Sequence, residues 1–130
     1  MKHQILEPSG WSRPRGYANG VAAEGRQIFL AGQIGWSAEQ QIVSDSLAAQ
    51  VRQALANIVE LLACAGARPE HLVRLTWYIT SREEYNAAIE SIGAAYRETI
   101  GRHFPAMSIV QVSALLEPRA KVEIEATALL

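Results

Sequence analysis

The chain has 130 residues, a length that predicts a single domain spanning residues 1–130. Hydrophobic residues make up 49% of it and charged residues 19%, a balance typical of a globular protein rather than a disordered one. Its net charge of −1 argues against a nucleic-acid partner. Because there is only one cysteine, a disulfide within the chain is impossible, as suits a reducing compartment.

Five further classes of protein are disfavoured by the sequence. No apolar run approaches the roughly 18 residues of a membrane span, and the N-terminus lacks the pattern of a secretory signal. We therefore expect a cytoplasmic protein with no membrane partner. His3, His71 and His103 are not at ligand spacing, so no metal site is expected. The absence of a phosphate-binding loop and of a nucleophile elbow disfavours nucleotide binding and serine hydrolysis.

The first part of the chain predicts an irregular arm followed by two strands. Residues 1–16 contain Pro8, Gly10, Pro14 and Gly16 and show no periodicity, which predicts an irregular arm that covers at least residues 1–13. Residues 17–25 suggest a short strand that ends in a turn. Residues 26–35 predict a stronger strand, in which an apolar run is followed by Gly32 and Gly35. Glycines at these positions allow the backbone to bend or to approach a ligand closely.

The middle of the chain predicts an amphipathic helix and a half-buried strand. Residues 46–65 carry apolar residues at three- and four-residue steps, and Gly66 is well suited to end the helix. The apolar stripe consists of Leu47, Val51, Leu55, Ile58 and Leu62. Residues 72–80 alternate between apolar and polar side chains, as expected of a strand with one face in the core. Cys64 falls at the end of the helix, where we expect it to be packed.

The last part predicts a second helix and two final strands. Ser81 followed by Glu84 forms the pattern of a capping box, and Gly101 ends the helix. Its apolar stripe consists of Tyr85, Ile89, Ile92, Tyr96 and Ile100. Residues 106–116 and 120–130 then predict strands, the second with strict alternation.

The predicted order is therefore β-β-α-β-α-β-β. Two amphipathic helices between strands favour a mixed sheet with both helices on one face, which is an α+β fold. The other face of such a sheet needs a partner, and we expect that partner to be a further copy of the same chain.

Four residues are candidates for a functional site. Glu123 and Glu125 lie two apart on a strand and therefore point to the same face. One of them can line a cleft and handle a proton or hold a water, although both also fit an ordinary solvated face. Tyr17 can offer its phenol to the same cleft or be a surface tyrosine. Gly32 ends an apolar run, where its backbone N–H can meet a carboxylate or carbonyl oxygen.

Together these segments resemble the reactive intermediate deaminase family, which is also called the YjgF or RidA family. The resemblance covers roughly residues 14–129, with the blocks in the family's order and spacing. The matching blocks are "GYANGV" (16–21), "IFLAGQIG" (28–35), "QVRQALANIVELLACAGA" (50–67), "VRLTWYIT" (73–80), "HFPAMSIVQV" (103–112) and "AKVEIEATAL" (120–129).

This resemblance implies a chorismate-mutase-like, ferredoxin-like α+β fold that assembles as a homotrimer with small-molecule clefts between subunits. Active members of the family hydrolyse a 2-imino acid or 2-amino-unsaturated acid to a 2-keto acid and ammonia, without a cofactor. An arginine in a P-A-R-S motif binds the substrate carboxylate. The glycine of the G-Q motif supports it, a tyrosine near the N-terminus lines the cleft, and a glutamate of the E-I-E-A block positions a water.

Carried over residue by residue, the tyrosine is Tyr17, the glycine is Gly32 and the catalytic glutamate is Glu123. The arginine falls on Met107. A thioether can neither bind a carboxylate nor move a proton, so the resemblance implies a subgroup that lacks the substrate-binding arginine. An asparagine that active members carry in the second helix is replaced by Gly93.

The loss of the arginine has an expected cost in binding free energy. A charge-assisted contact is worth about 1.5–3 kcal/mol, so small 2-imino acids should be poor substrates. Arg15 and Arg119 are candidates to replace the contact. Trp36 follows the G-Q strand and is a candidate to stack on a larger planar ligand.

Two functions remain open from the sequence. One is an enamine or imine deaminase whose substrate specificity is altered by Met107. The other is a non-catalytic trimer that binds or senses a small molecule in the same clefts. A third possibility, ribonuclease activity, has little support, because the basic residues are scattered and no histidine pair is placed for RNA cleavage.

Overall fold

The computed structural model describes residues 3–130. Six strands and three α-helices follow one another in the order β-β-β-α-β-α-α-β-β, and a single 3₁₀ turn, Pro69–His71, precedes the fourth strand. The strands are β1 (Gln4–Ile5), β2 (Val21–Ala22), β3 (Gln27–Ile34), β4 (Leu72–Ile79), β5 (Ala106–Gln111) and β6 (Val122–Leu129). The helices are α1 (Leu47–Cys64), α2 (Arg82–Ala87) and α3 (Ile89–Thr99).

The four long strands form one mixed sheet in the order β3-β6-β4-β5. Strand β6 is antiparallel to both of its neighbours, whereas β5 runs parallel to β4. A parallel pair needs a long crossover, which α2 and α3 supply between β4 and β5. This arrangement confirms the predicted mixed sheet, and it leaves β3 and β5 as the two edge strands.

Helices α1 and α3 cover one face of the sheet, as predicted. All five residues of the predicted α1 stripe are buried, and they join alternate residues of β4 and β6 in one hydrophobic cluster. The Oγ of Ser46 accepts a hydrogen bond from the backbone N–H of Ala49 at 3.3 Å, which caps the start of α1. Gly66 adopts a φ of +74° just after the helix, the left-handed conformation that glycine tolerates best.

The second predicted helix is divided into two at Ala88, whose φ of −104° and ψ of 12° interrupt the helical backbone. Ser81 caps α2 by accepting a hydrogen bond from the backbone N–H of Glu84 at 3.0 Å. The second hydrogen bond of the predicted capping box, from the backbone N–H of Ser81 to the Glu84 carboxylate, is not among the described contacts. The Glu84 carboxylate instead pairs with the Lys121 ammonium at 2.7 Å, which ties α2 to the start of β6.

The N-terminal arm contains one regular element that its composition did not predict. Strand β1 pairs antiparallel with β2, outside the main sheet. The backbone N–H of Leu6 continues this pairing by donating to the carbonyl of Gly20 at 2.9 Å. The predicted strand at residues 17–25 is therefore much shorter than expected, because it pairs with the arm and not with β3.

The face of the sheet opposite the helices is uncovered in a single chain. Phe29 points from it with 72% of its side chain exposed, although it lies within an apolar strand. At the β5 edge, Ile109 and Val110 are also exposed. Exposed apolar side chains on an open face and at a strand edge are typical of a surface that another chain covers.

Two smaller findings concern α1 and the membrane. Cys64 is exposed, so the expected packing of this cysteine is wrong: it lies at the last residue of the helix, outside the buried stripe. Within residues 3–130, none of the helices is long and apolar enough to cross a membrane.

Gln50 is a fully buried polar residue that fixes the start of α1 to the rest of the chain. Its amide nitrogen donates to the carbonyls of Ser44 and Arg119 at 2.9 and 3.1 Å, and its amide oxygen accepts from the backbone N–H of Lys121 at 2.8 Å. A Cβ on Gly35 would lie 2.6 Å from the Gln50 Cβ, so glycine is needed where β3 passes α1.

We expect Gln50→Leu to lower the free energy of unfolding by about 2 kcal/mol, because it leaves buried backbone groups without hydrogen-bond partners. Urea denaturation measures the change. The control is Gln53→Leu in the same helix. Within the described part of the chain the Gln53 amide bonds only to the neighbouring Asn57, so its loss should cost less than about 1 kcal/mol. Equal losses in the two variants would contradict this role for Gln50.

Candidate functional site

A groove of about 390 Å³ lies between the β5 edge of the sheet and helices α2 and α3. Its position follows from how the arm meets β5. The backbone N–H of Ala18 donates to the carbonyl of Pro105 at 3.0 Å, and Ala18 forms a parallel bridge with Ala106. This pairing extends the sheet by one bridge and holds Tyr17 at the mouth of the groove, where 40% of its side chain is exposed.

Met107 is the second residue of β5 and lines this groove. It stands beside Leu75 of β4, whose side chain is buried under the helices, so Met107 points to the helix-covered face as well. It is half-buried and packs against the hydrophobic cluster. Met107 therefore makes this part of the groove apolar.

Two arginines also line the groove. Arg15 reaches it from the arm, and Arg97 reaches it from α3. Neither takes part in an ion pair with a described residue, since the four such pairs involve other arginines and one lysine. The sequence predicted Arg15 as a candidate. Arg97 was missed, although its position four residues after Gly93 on a helix would have indicated that the two share a face.

Glu123 and Gly32 lie together on the uncovered face of the sheet. Between Leu30 and Gln33 the register of β3 against β6 shifts, so that two residues of β3, Ala31 and Gly32, are set against one of β6, Glu125. The Glu123 side chain lies directly over Gly32 in this bulge. A Cβ on Gly32 would be 2.7 Å from both Cγ and Cδ of Glu123, so any other residue would displace the carboxylate.

The two neighbouring carboxylates on β6 have different surroundings. Glu125 accepts a hydrogen bond from the phenol of Tyr78 at 2.8 Å. This hydrogen bond raises the pKa of Tyr78, because removing the proton would place two negative groups side by side. Glu123 is half-buried, and none of the ion pairs among residues 3–130 involves it. Among residues 3–130 its carboxylate therefore has no hydrogen-bond or ion-pair partner, whereas the carboxylate of Glu125 accepts from Tyr78.

The structure does not bring together, within one chain, the four positions carried over from the family motifs. Tyr17 and Met107 line the groove on the helix-covered side of the sheet. Glu123 stands beside Tyr78 on the opposite face, with Gly32 beneath it. A four-stranded sheet separates the two pairs, so a site that uses all four residues requires two copies of the chain.

The remaining candidates lie away from the groove. Arg119 forms an ion pair with Asp45 at 3.0 Å, close to the start of α1. Trp36 lies next to α1, where its carbonyl accepts a hydrogen bond from the Asn57 side chain at 3.0 Å, and it lines a separate depression together with Cys64. Among the residues described, no three His, Cys, Asp or Glu side chains come close enough to hold a metal ion.

Comparison with known proteins places the chain among well-defined relatives. The model of the endoribonuclease L-PSP family matches residues 12–130. The chain is 32% identical over 114 residues to a human protein named 2-iminobutanoate/2-iminopropanoate deaminase, with 87% of this chain and 79% of the human protein covered. It is 33% identical over 115 residues to the Escherichia coli protein of the same name, with 86% and 85% covered.

The solved structures agree with the fold described above. A Yersinia pestis protein of unknown function, YyfB of the conserved Rid protein family, has a TM-score of 0.89 and 34% identity, with both chains fully covered. The YjgF gene product of Escherichia coli has a TM-score of 0.69 and 30% identity over 87% of each chain. These matches confirm the predicted α+β fold and the resemblance seen in the sequence. The chain belongs to the endoribonuclease L-PSP family, which is the reactive intermediate deaminase or YjgF/RidA family.

Proposed function

We propose that the protein hydrolyses a reactive enamine or imine to a carbonyl compound and ammonia, without a cofactor, in clefts between the subunits of a homotrimer. The relatives named 2-iminobutanoate/2-iminopropanoate deaminase support this general activity, since their similarity extends over 86–87% of the chain. The observation that carries the proposal is the Glu123 carboxylate, which lies over Gly32 and has no described ion-pair partner.

The chemistry requires a group that handles protons at a water. In the proposed reaction Glu123 accepts a proton from a water whose oxygen attacks the imine carbon. The same carboxylate returns this proton to the nitrogen, which gives a carbinolamine. It then takes the proton of the new hydroxyl and passes it to the amino group, so that the C–N bond breaks, the carbonyl forms and ammonia leaves. A positioned carboxylate typically contributes about 10²–10⁴-fold to such a step. The phenol of Tyr17 orients the substrate from the mouth of the groove.

A second copy of the chain completes the proposed site. The groove beside β5 holds Tyr17 and Met107, and the open face of a neighbouring copy supplies Glu123 and Gly32. The exposed apolar residues at both surfaces support such a contact, because Phe29 lies on the open face and Ile109 on the edge strand. Three copies joined in this way form a closed ring that buries every open face.

Met107 alters the substrate in this proposal. A carboxylate placed against its thioether would lose water without gaining a charged partner, which is unfavourable. The protein should therefore hydrolyse small 2-imino acids slowly and favour a substrate with a larger apolar part.

Met107 also favours a second candidate function, which is binding without catalysis. If the apolar position 107 ended the chemistry, the trimer would retain the groove and bind or sense a small molecule without turning it over. Stabilisation of the protein by a ligand that it does not convert would support this alternative.

Imine hydrolysis by the purified protein tests the proposal. Two imines are generated in situ: 2-iminobutanoate, with threonine and a threonine dehydratase, and 2-imino-3-phenylpropanoate, with phenylalanine and an amino-acid oxidase. We expect the second imine to decay clearly faster than in buffer and the first to be accelerated less. Decay of both imines at the buffer rate would reject the hydrolase and leave the binding role. Native mass measurement tests the assembly, and a monomer would contradict the shared cleft.

A further inference from the structure

The groove beside β5 combines an aromatic wall with two arginines that form no ion pair with any residue from 3 to 130. Three rings stack in sequence along it: Trp77 lies 6.5 Å from Tyr96 between ring centroids, and Tyr96 lies 5.8 Å from Phe104. The first two rings are buried, whereas Phe104 is 40% exposed. One aromatic surface is thus left open at the end of a stack, where a planar ligand could extend it.

The charge in the groove is positive only. Arg15 and Arg97 line the groove, and none of the described residues that line it is acidic. An anion with an apolar body therefore matches the groove better than a neutral or a cationic ligand.

Arg97 is the better placed of the two arginines. A Cβ on Gly93 would lie 3.3 Å from Nη1 of Arg97, so the guanidinium folds back over Gly93, one turn earlier on α3. Both residues line the groove. Glycine within a helix costs about 1 kcal/mol relative to alanine, and here it provides the space that the guanidinium occupies. Arg15, in contrast, belongs to the irregular part of the arm.

We propose that Arg97 supplies the carboxylate contact that Met107 cannot make, and that the groove accepts 2-keto or 2-imino acids with an aromatic side chain. The carboxylate pairs with the Arg97 guanidinium, and the aromatic ring extends the stack at Phe104. The inference rests on the proposed function in taking this groove as the ligand-binding half of the site, and it adds the class of substrate.

Binding of three carbonyl compounds to the intact protein tests this assignment without any turnover. Phenylpyruvate has both the carboxylate and the ring, pyruvate lacks the ring, and 1-phenylpropan-2-one lacks the carboxylate. Isothermal titration calorimetry should show phenylpyruvate binding at least about tenfold more tightly than either of the others. Arg97→Gln should weaken phenylpyruvate by about tenfold and leave 1-phenylpropan-2-one within about twofold, as expected for loss of one charge-assisted contact.

Two further variants complete the test. Arg102→Gln removes an exposed arginine that does not line the groove, and it should leave all three affinities unchanged. Arg15→Gln separates the two candidates: a large loss there with none in Arg97→Gln would overturn the assignment, as would equal binding of pyruvate and phenylpyruvate. Phenylpyruvate binding that depends on Arg97 in a protein that hydrolyses no imine would support the inference and reject the hydrolase.

Discussion

Replacing Glu123 by glutamine is expected to lower the rate of imine hydrolysis by about 10²–10⁴-fold. The amide has nearly the same size as the carboxylate but cannot accept a proton from water. Because Glu123 forms none of the described ion pairs, the free energy of unfolding should change by less than about 0.5 kcal/mol. Ammonia release measures the rate, and thermal unfolding measures the stability.

Glu125→Gln is the matched control for this prediction. Glu125 lies on the same strand and the same face, two residues further on, and accepts a hydrogen bond from Tyr78. A glutamine oxygen can still accept this bond, so the rate should remain within about threefold of the unaltered protein. If the two variants lost activity equally, Glu123 would have no special part in the reaction.

Met107→Arg is expected to raise kcat/KM for 2-iminobutanoate by about 10–100-fold. This small acid has no ring to place its carboxylate at Arg97, and at position 107 it gains a charge-assisted contact worth about 1.5–3 kcal/mol. This gain in kcat/KM depends on the location of position 107 in the groove. Met107 is half-buried beside Tyr17, and a longer side chain at this position extends into the groove. Steady-state kinetics with the imine generated in situ measure the change.

The uncharged variant Met107→Gln separates charge from polarity. It introduces a polar side chain of similar length, and we expect it to give a much smaller gain than arginine. Equal kinetics of the two variants would show that the missing charge does not limit the reaction. The added guanidinium also lies in the same groove as Arg97, so Met107→Arg should lose some stability through repulsion between like charges.

The sequence alone predicted most of the fold. The periodicity of apolar residues was sufficient for α1, β4 and β6, because each of these elements has one buried face and one exposed face. It was not sufficient at Ala88, where the stripe continues across a break in the helix. It also missed β1, since a two-residue strand depends on its partner and leaves no pattern of its own.

The candidate site, like the fold, was only partly predictable from the sequence. The sequence identified Tyr17, Gly32, Met107 and Glu123 through their resemblance to family motifs, which are local in the chain. It could not show that the sheet separates Met107 from Glu123, because the face to which each side chain points depends on the register between strands. Nor could it reveal that Arg119 is paired with Asp45, a contact between residues 74 positions apart.

What the sequence determined by itself is therefore most of the elements, the family and the absence of an arginine at position 107. Each of these can be read from residues that are near one another in the chain. The tertiary structure decided the rest: the groove beside β5, the aromatic stack that ends at Phe104, and the guanidinium of Arg97 over Gly93. These features depend on packing between distant segments, which local patterns do not encode.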